Sequence, residues 1–229
     1  MIEVYRYETH LHTYPVSRCA HAGVEESLAF YKERGYAGVF ITNHFLDGNI
    51  NVSRSLPYAE QIAFYFSDYE KAVEIGKKLG IAVFCGVELS YGGTDFLVYG
   101  LDKAWFLAHP EIMDMKKSEE LSFLMDNGAL VIQAHPYREA SYIDHIRLFP
   151  RHVHGVEIVN GNQSDVENQL AKTYCEYYGL TPFAGSDNHF SPRQKKLAGI
   201  CFEEPICSEV DFAEKIKSRT GEIFEEILG

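Results

Sequence analysis

The chain has 229 residues, enough for one sizeable domain, and α/β barrels commonly occupy about 200–250 residues as one unit. Its 46 % apolar and 14 % aromatic content, with eight scattered prolines, excludes disordered, collagenous and mucin-like chains. Twenty-one basic against thirty-three acidic side chains leave a net charge of −12, which argues against holding nucleic acid on a broad basic surface. A small phosphorylated molecule stays compatible, because bound divalent cations reverse the field inside a pocket.

The five cysteines (Cys19, Cys85, Cys175, Cys201 and Cys207) form no CxxC pair, a pattern that fits a reducing compartment. MIEVYRYETH lacks the basic and apolar regions of a signal peptide, and no apolar run approaches the roughly 18 residues of a membrane span. A soluble cytoplasmic protein without membrane contact is therefore expected. No repeat, linker or low-complexity tract divides residues 1–229, so a single domain is expected.

MIEVYRYETH opens as a strand ending on histidine. A helix is predicted from about Gly23 to Arg34, stopped by Gly35. AGVFITNH has the continuous apolar, β-branched character of a buried parallel strand. The stretch from Ala59 reads as helix, closed by Gly80. IAVFCGVELS and TDFLVYGL are strands three and four around a Gly-Gly turn, either a hairpin or an irregular turn. A helix over EIMDMKKSEELSFLMDNG precedes strand five, ALVIQAHP. At most a short helix is expected over Tyr142 to Phe149. HGVEIVNG is strand six, followed by a helix from Ser164 to about Tyr178 with Gly179 as its cap. LTPFAGSDNH is strand seven, AGICFEE a possible eighth, and SEVDFAEKIKSRTG a terminal helix capped by Ser208 or Asp211. These units imply an α/β fold with a mostly parallel sheet, closed as a barrel or open and doubly wound.

Metal-competent side chains gather at the C-terminal ends of these strands, where both kinds of sheet build their sites. They are His10 and His12, His44, Glu88, His135, Glu157 with Asn160, and Asp187 with His189. His10-Leu11-His12 presents two imidazoles on one side of a strand, and Asp187-Asn188-His189 repeats the spacing with a carboxylate. Imidazole and carboxylate without thiolate suit Zn²⁺, Mn²⁺ or Fe²⁺ in a reactive rather than a structural site.

HLHT, ITNH, GVELS, QAHPYR, GVEIVNG and AGSDNH, in this order, resemble the polymerase and histidinol phosphatase (PHP) family from about Glu3 to beyond His189. The resemblance implies a distorted seven-stranded (β/α)7 barrel. It also implies two or three divalent ions (zinc, manganese or iron) and hydrolysis of phosphate esters. Carried over residue by residue, His10, His12, Glu88 and Asp187 would hold one ion. Glu88 would bridge to a second that also takes His135, and His44, His189 and His21 would hold a third. SRCAHAG resembles a cysteine-and-histidine segment of histidinol phosphatase-like members. The chain departs from the family at Asn43, where an Asp is usual, and in a fourth strand without histidine. Asp95 is the first candidate to replace that ligand and Asp102 the second.

The expected activity is hydrolysis of a small phosphate monoester by a metal-activated water. Glu88, Asp187, Arg138 and Arg193 form the expected catalytic set, with both arginines as phosphate forks and Arg18 as a third possibility. Alternatives are histidinol phosphate hydrolysis, nucleotide or phosphodiester hydrolysis, and a catalytically silent binding domain. His109, His145, His152 and His154 read as structural, and Cys19 as a bystander. Glu157 and Asn160 divide evenly between ligand and orienting roles. The aromatic run PYAEQIAFYFSDYEKA reads as core, and homo-oligomerisation carries no sequence signal.

Overall fold

The computed structural model describes residues 4–228. In chain order these form β1 (Tyr5–Leu11), α1 (Val24–Glu33), β2 (Gly38–Ile41), α2 (Tyr58–Leu79), β3 (Ala82–Tyr91) and β4 (Thr94–Tyr99). Then come α3 (Lys103–Ala108), α4 (Lys117–Asp126), β5 (Leu130–Ala134), β6 (Gly155–Asn160), α5 (Asp165–Tyr178), β7 (Thr181–Gly185), β8 (Lys196–Phe202), α6 (Glu209–Lys217) and β9 (Glu222–Ile227). Local chemistry explains several boundaries. Gly80 and Gly179 close α2 and α5 with φ of 69° and 67°, a conformation in which a Cβ is strained. Ser164 and Glu167 start α5 with a reciprocal capping box.

The strands hydrogen-bond in the order β7-β6-β5-β4-β3-β2-β1-β8-β9 and curl into a nearly closed barrel-shaped sheet. The seam lies beyond the end of β7, where His12 N donates to Asn188 O at 3.0 Å and Asn188 N donates to His10 O at 3.1 Å. β1, β2 and β3 are parallel, as are β5, β6 and β7, whereas β4 runs antiparallel to both neighbours.

This frame is not a regular (β/α)7 alternation. Gly92 and Gly93, at φ 56° and 87°, make a two-residue hairpin between β3 and β4, too short for a crossover helix. No helix forms between β5 and β6, so the short helix allowed over Tyr142 to Phe149 is absent. β8 and β9 form an antiparallel pair beside β1. The single helix expected before β5 is broken by a 3-10 turn at Pro110–Asp114, and only α4 remains of it. α3 and β9 were not anticipated, and the α3 pattern is too brief to show a period.

The barrel interior is layered. At the N-terminal end Tyr7, Phe40, Phe84, Tyr99 and Phe183 converge, and Phe212 from α6 plugs the opening, 4.2 Å from the Phe40 ring centre. Truncating a plug of this kind costs about 3–5 kcal/mol. Leu11, Val39 and Ile41 turn outward against Val24 and Leu28 of α1. Strict alternation would place Tyr7 and Leu11 on the same face, but a register shift between Glu8 and Leu11 intervenes. This bulge lets the aromatic Tyr7 and the polar His10 and His12 all face inward, at different heights.

Candidate metal centre

Six parallel strands end at one edge, and β4, running the other way, begins there. Glu88 stands at the centre, 1 % exposed. Its Oε1 lies 3.1 Å from His10 Nε2 and 3.4 Å from His135 Nε2. Its Oε2 lies 3.4 Å from His12 Nε2 and 2.6 Å from His44 Nδ1. The carboxylate thus divides the cluster into two halves. Asp187 Oδ1 faces His10 Nε2 at 3.5 Å and His12 Nε2 at 3.4 Å, and those two nitrogens are 3.2 Å apart. His189 stacks on His12, ring centres 4.2 Å apart.

The donor set fits divalent ions. A tetrahedral ion with bonds of about 2.0–2.2 Å sets its ligand atoms about 3.3–3.6 Å apart, close to the spacing around His10, His12, Glu88 and Asp187. Both Glu88 oxygens, His44 Nδ1 and His135 Nδ1 are buried without a hydrogen-bond partner, since the short His44–Glu88 approach is not aligned as a bond. Such groups are costly unless something binds them. Combinations that bring three ligand atoms together include His10/His12/Glu88, His10/His135/Asp187, Glu88/Asp95/His135 and His12/His44/His189.

Neighbouring groups aim the imidazoles. His10 Nδ1 lies 2.9 Å from Glu157 Oε1, His12 Nδ1 3.0 Å from Ser17 Oγ, and His189 Nδ1 2.8 Å from the Asp187 carbonyl. Each partner accepts, so each ring carries a proton on Nδ1 and turns Nε2 toward the cluster. Glu157 also accepts from His135 N and Asn160 Nδ2, so it braces His10 and the backbone of His135 while Asn160 braces it. Burial and the neighbouring His189 and His44 hold His12 well below the usual imidazole range, the neutral form a ligand requires. Burial pushes Glu88 and Asp187 upward, but the surrounding imidazoles prevail and hold both well below the usual carboxylate range. His135 and Asp187 sit at φ 24° and 52°, turning their strand ends sharply inward.

The structure accounts for Asn43. Its Oδ1 accepts from Thr13 N and Ser17 Oγ, both at 2.7 Å, and its Nδ2 donates to Thr13 Oγ1 at 2.9 Å. Thr13 Oγ1 already donates to the buried Asp68 at 2.8 Å. An aspartate at position 43 would face that oxygen's lone pairs, so the amide suits a chain that carries Asp68. Ser17 was missed in the sequence, where a single serine in a loop carries no signal.

Because β4 is reversed, Asp95 near its start reaches the cluster, 3.9 Å from His135 Nε2. Asp102 instead caps α3, accepting from Trp105 N at 2.8 Å. Above the cluster lies a cleft of about 740 Å³. Arg138 overhangs it, 3.5 Å from Asp95, with its guanidinium 5.7 Å from the Tyr142 ring centre. His21 and Arg193 do not join. The amide of His21 is tied to the His189 carbonyl, and its exposed ring stacks outward on Phe190 at 4.8 Å. Arg193 lines the same small side pocket of about 260 Å³. Arg18 is spent on the Ile50 carbonyl. Cys19, read as a bystander, lines the cleft, and although burial raises its thiol, His189 and His44 bring it down to about 6. Its place in SRCAHAG was the available signal.

No family model matches the chain, and no curated protein does. Solved structures do. One is a two-domain protein containing a predicted PHP-like metal-dependent phosphoesterase, from Bacteroides vulgatus: 16 % identity, TM-score 0.66, 97 % of this chain covered but only 65 % of that one. Another, from Bifidobacterium adolescentis, is described as a metal-dependent phosphoesterase: 12 % identity, TM-score 0.53, 80 % and 87 % covered. A third is an amidohydrolase from Chromobacterium violaceum with bound sulfate and no metal: 15 % identity, TM-score 0.57, 95 % and 97 % covered. At these identities the likeness is one of fold. The chain has the fold of proteins described as PHP-like metal-dependent phosphoesterases, with a His/Glu/Asp cluster able to bind metal at its polar edge.

Proposed function

We propose that this chain is a metal-dependent phosphoesterase that hydrolyses a small phosphate monoester. The observation that carries this reading is Glu88, a buried carboxylate with imidazoles on both of its oxygens and no hydrogen bond to either. His10, His12, Glu88 and Asp187 would hold one ion, and Glu88, His135 and Asp95 a second. His44 and His189 would supply two ligands to a third. In this reading β1 to β7 act as the seven-stranded wall of a single domain, with β8 and β9 added to it.

Divalent ions in such a site make water a nucleophile at neutral pH and neutralise phosphoryl oxygens. The protein's own groups do the rest. Arg138 offers a planar pair of N–H groups to the non-bridging oxygens, and Asp95 holds that guanidinium over the cluster. Glu157, Ser17 and the Asp187 carbonyl keep three imidazoles in one tautomer, so no ring must flip during turnover. The buried floor keeps bulk water from His10 and His12, both fully enclosed.

The test is elemental analysis followed by a substrate panel. Protein purified without chelator, and again after anaerobic loading with Mn²⁺, Fe²⁺ or Zn²⁺, should hold two or three ions. It should release phosphate from monoesters, histidinol phosphate among them, and lose this activity in EDTA. Turnover of phosphodiesters alone would replace the monoester reading. Turnover of amides alone would move the chain to the chemistry named for its third neighbour. A metal content near zero after loading would leave a binding domain.

A further inference from the structure

The cleft over the metal centre abuts a second chamber of about 510 Å³, the two sharing Asp47 and Ser90 as wall residues. The chambers differ in chemistry. Carboxylates, amides and Arg138 surround much of the first, whereas the second sets Tyr91, Ile112, Met113, Met115 and Phe149 beside a polar side of Lys116, Lys117, Ser118 and Glu120.

Both sides of this annexe are fixed in place. Lys117, at the start of α4, is buried at the junction and bonds Asp47 Oδ2 at 2.9 Å and Glu120 Oε2 at 2.6 Å. That clamp ties α4 to the loop that follows His44. On the facing side Phe149 packs edge-on against Tyr91 and Phe96, with centres 6.2 and 5.2 Å apart. Arg147 covers Tyr91 at 5.8 Å and donates to the Gly92 carbonyl at 2.7 Å. A chamber already formed and lined by adaptable thioethers can take an apolar group without reorganising its walls.

We infer that this annexe receives the alcohol portion of the substrate, so that the preferred ester carries an apolar chain or ring. The inference rests on the phosphoesterase reading: with the phosphoryl group held by Arg138 and the ligand cluster, a leaving group of this kind extends past Asp47 and Ser90. Tyr91, Met113 and Met115 then select for length and hydrophobicity, and each methylene they cover raises affinity about three- to fourfold until the chamber is full.

Alkylphosphonates from methyl to octyl test this, because they keep the phosphoryl head and tail but have no ester to hydrolyse. With Mn²⁺-loaded protein, calorimetry should show affinity rising with chain length by at least about 100-fold overall. Methyl-labelled methionine spectra should show Met113 and Met115 shifting with octylphosphonate and not with methylphosphonate. Met113→Asp, and separately Met115→Asp, should each cut the octyl-to-methyl affinity ratio at least about tenfold. Equal affinity for both ends of the series, or still methionine signals, would overturn the annexe while leaving the phosphoesterase reading intact. Failure of every phosphonate to bind, with no monoester turned over, would overturn both.

Discussion

The imidazoles at the bottom of the cleft and the guanidinium at its mouth are held by opposite means. His10 and His12 project from a strand, are fully buried, and are each braced at Nδ1. Arg138 belongs to the irregular segment between β5 and β6, and Tyr142, whose hydroxyl accepts a hydrogen bond from it, is 62 % exposed. Strand ends can fix ligand atoms within tenths of an ångström, while loops leave room to vary what is bound. On the proposed reading, precision for chemistry and latitude for substrate would fall to different parts of the chain.

Substitutions on the floor should hit hardest. Glu88→Gln is expected to lower both metal content and turnover by more than about 100-fold, beyond the usual 10–100-fold effect of a group that only orients a ligand. Elemental analysis and phosphate release on one preparation check it, and a variant that kept its metal would deny Glu88 its central position. Glu157→Gln should fall within about 10–100-fold, with activity recovering as free Mn²⁺ is raised. No recovery would mean that Glu157 acts on the substrate rather than through His10.

At the mouth, Arg138→Ala should raise KM about tenfold or more with metal content unchanged, the loss expected for one charge-assisted contact. Loss of metal instead would erase the distinction between floor and mouth.

Two further variants probe the bracing alone. Asn43→Asp should lower stability by about 1–3 kcal/mol, the cost of opposing buried acceptors, and adding Asp68→Asn should recover most of it in denaturant melts. Glu120 should show its effect in the pH dependence of stability. Burial, only partly offset by Lys117, pushes its carboxyl from an ordinary 4.5 up to about 7. The folded chain then binds that proton more tightly than the unfolded chain does. Its contribution is full below about 4.5 and is lost as pH rises through about 7. Wild type should lose up to about 1.4 kcal/mol per pH unit across this window relative to Glu120→Gln. Parallel melting curves would reject the shift.

The same division governs what could be read from the chain itself. The place of His10 and His12 in the cluster was legible because a strand repeats every second residue, and the other strand-end members of the cluster followed apolar runs of recognisable length. Asp95 and Asp102 could not be separated, since the choice depends on the direction of β4, and direction is a tertiary fact. His21 follows no strand, and its ring lies on Phe190 outside the cluster, a placement that spacing does not encode. Arg193 sits only four residues beyond His189, yet the intervening turn carries it to another pocket. Ser17 and Tyr142 lie on loops whose positions no periodicity encodes, and the annexe forms only where β3, the 3-10 turn and α4 meet. β9 was overlooked because EIFEEI carries three glutamates, as the open edge of a sheet should.

His135 and Asp187 both occupy left-handed backbone, at φ 24° and 52°. Glycine, without a Cβ, adopts such geometry at less cost than either residue. A search for heat-tolerant variants, blind to activity, would thus be drawn to these two positions and would keep returning inert proteins. Screens on this scaffold should pair every melting temperature with a metal determination, because here a firmer protein and a working one are rival goals.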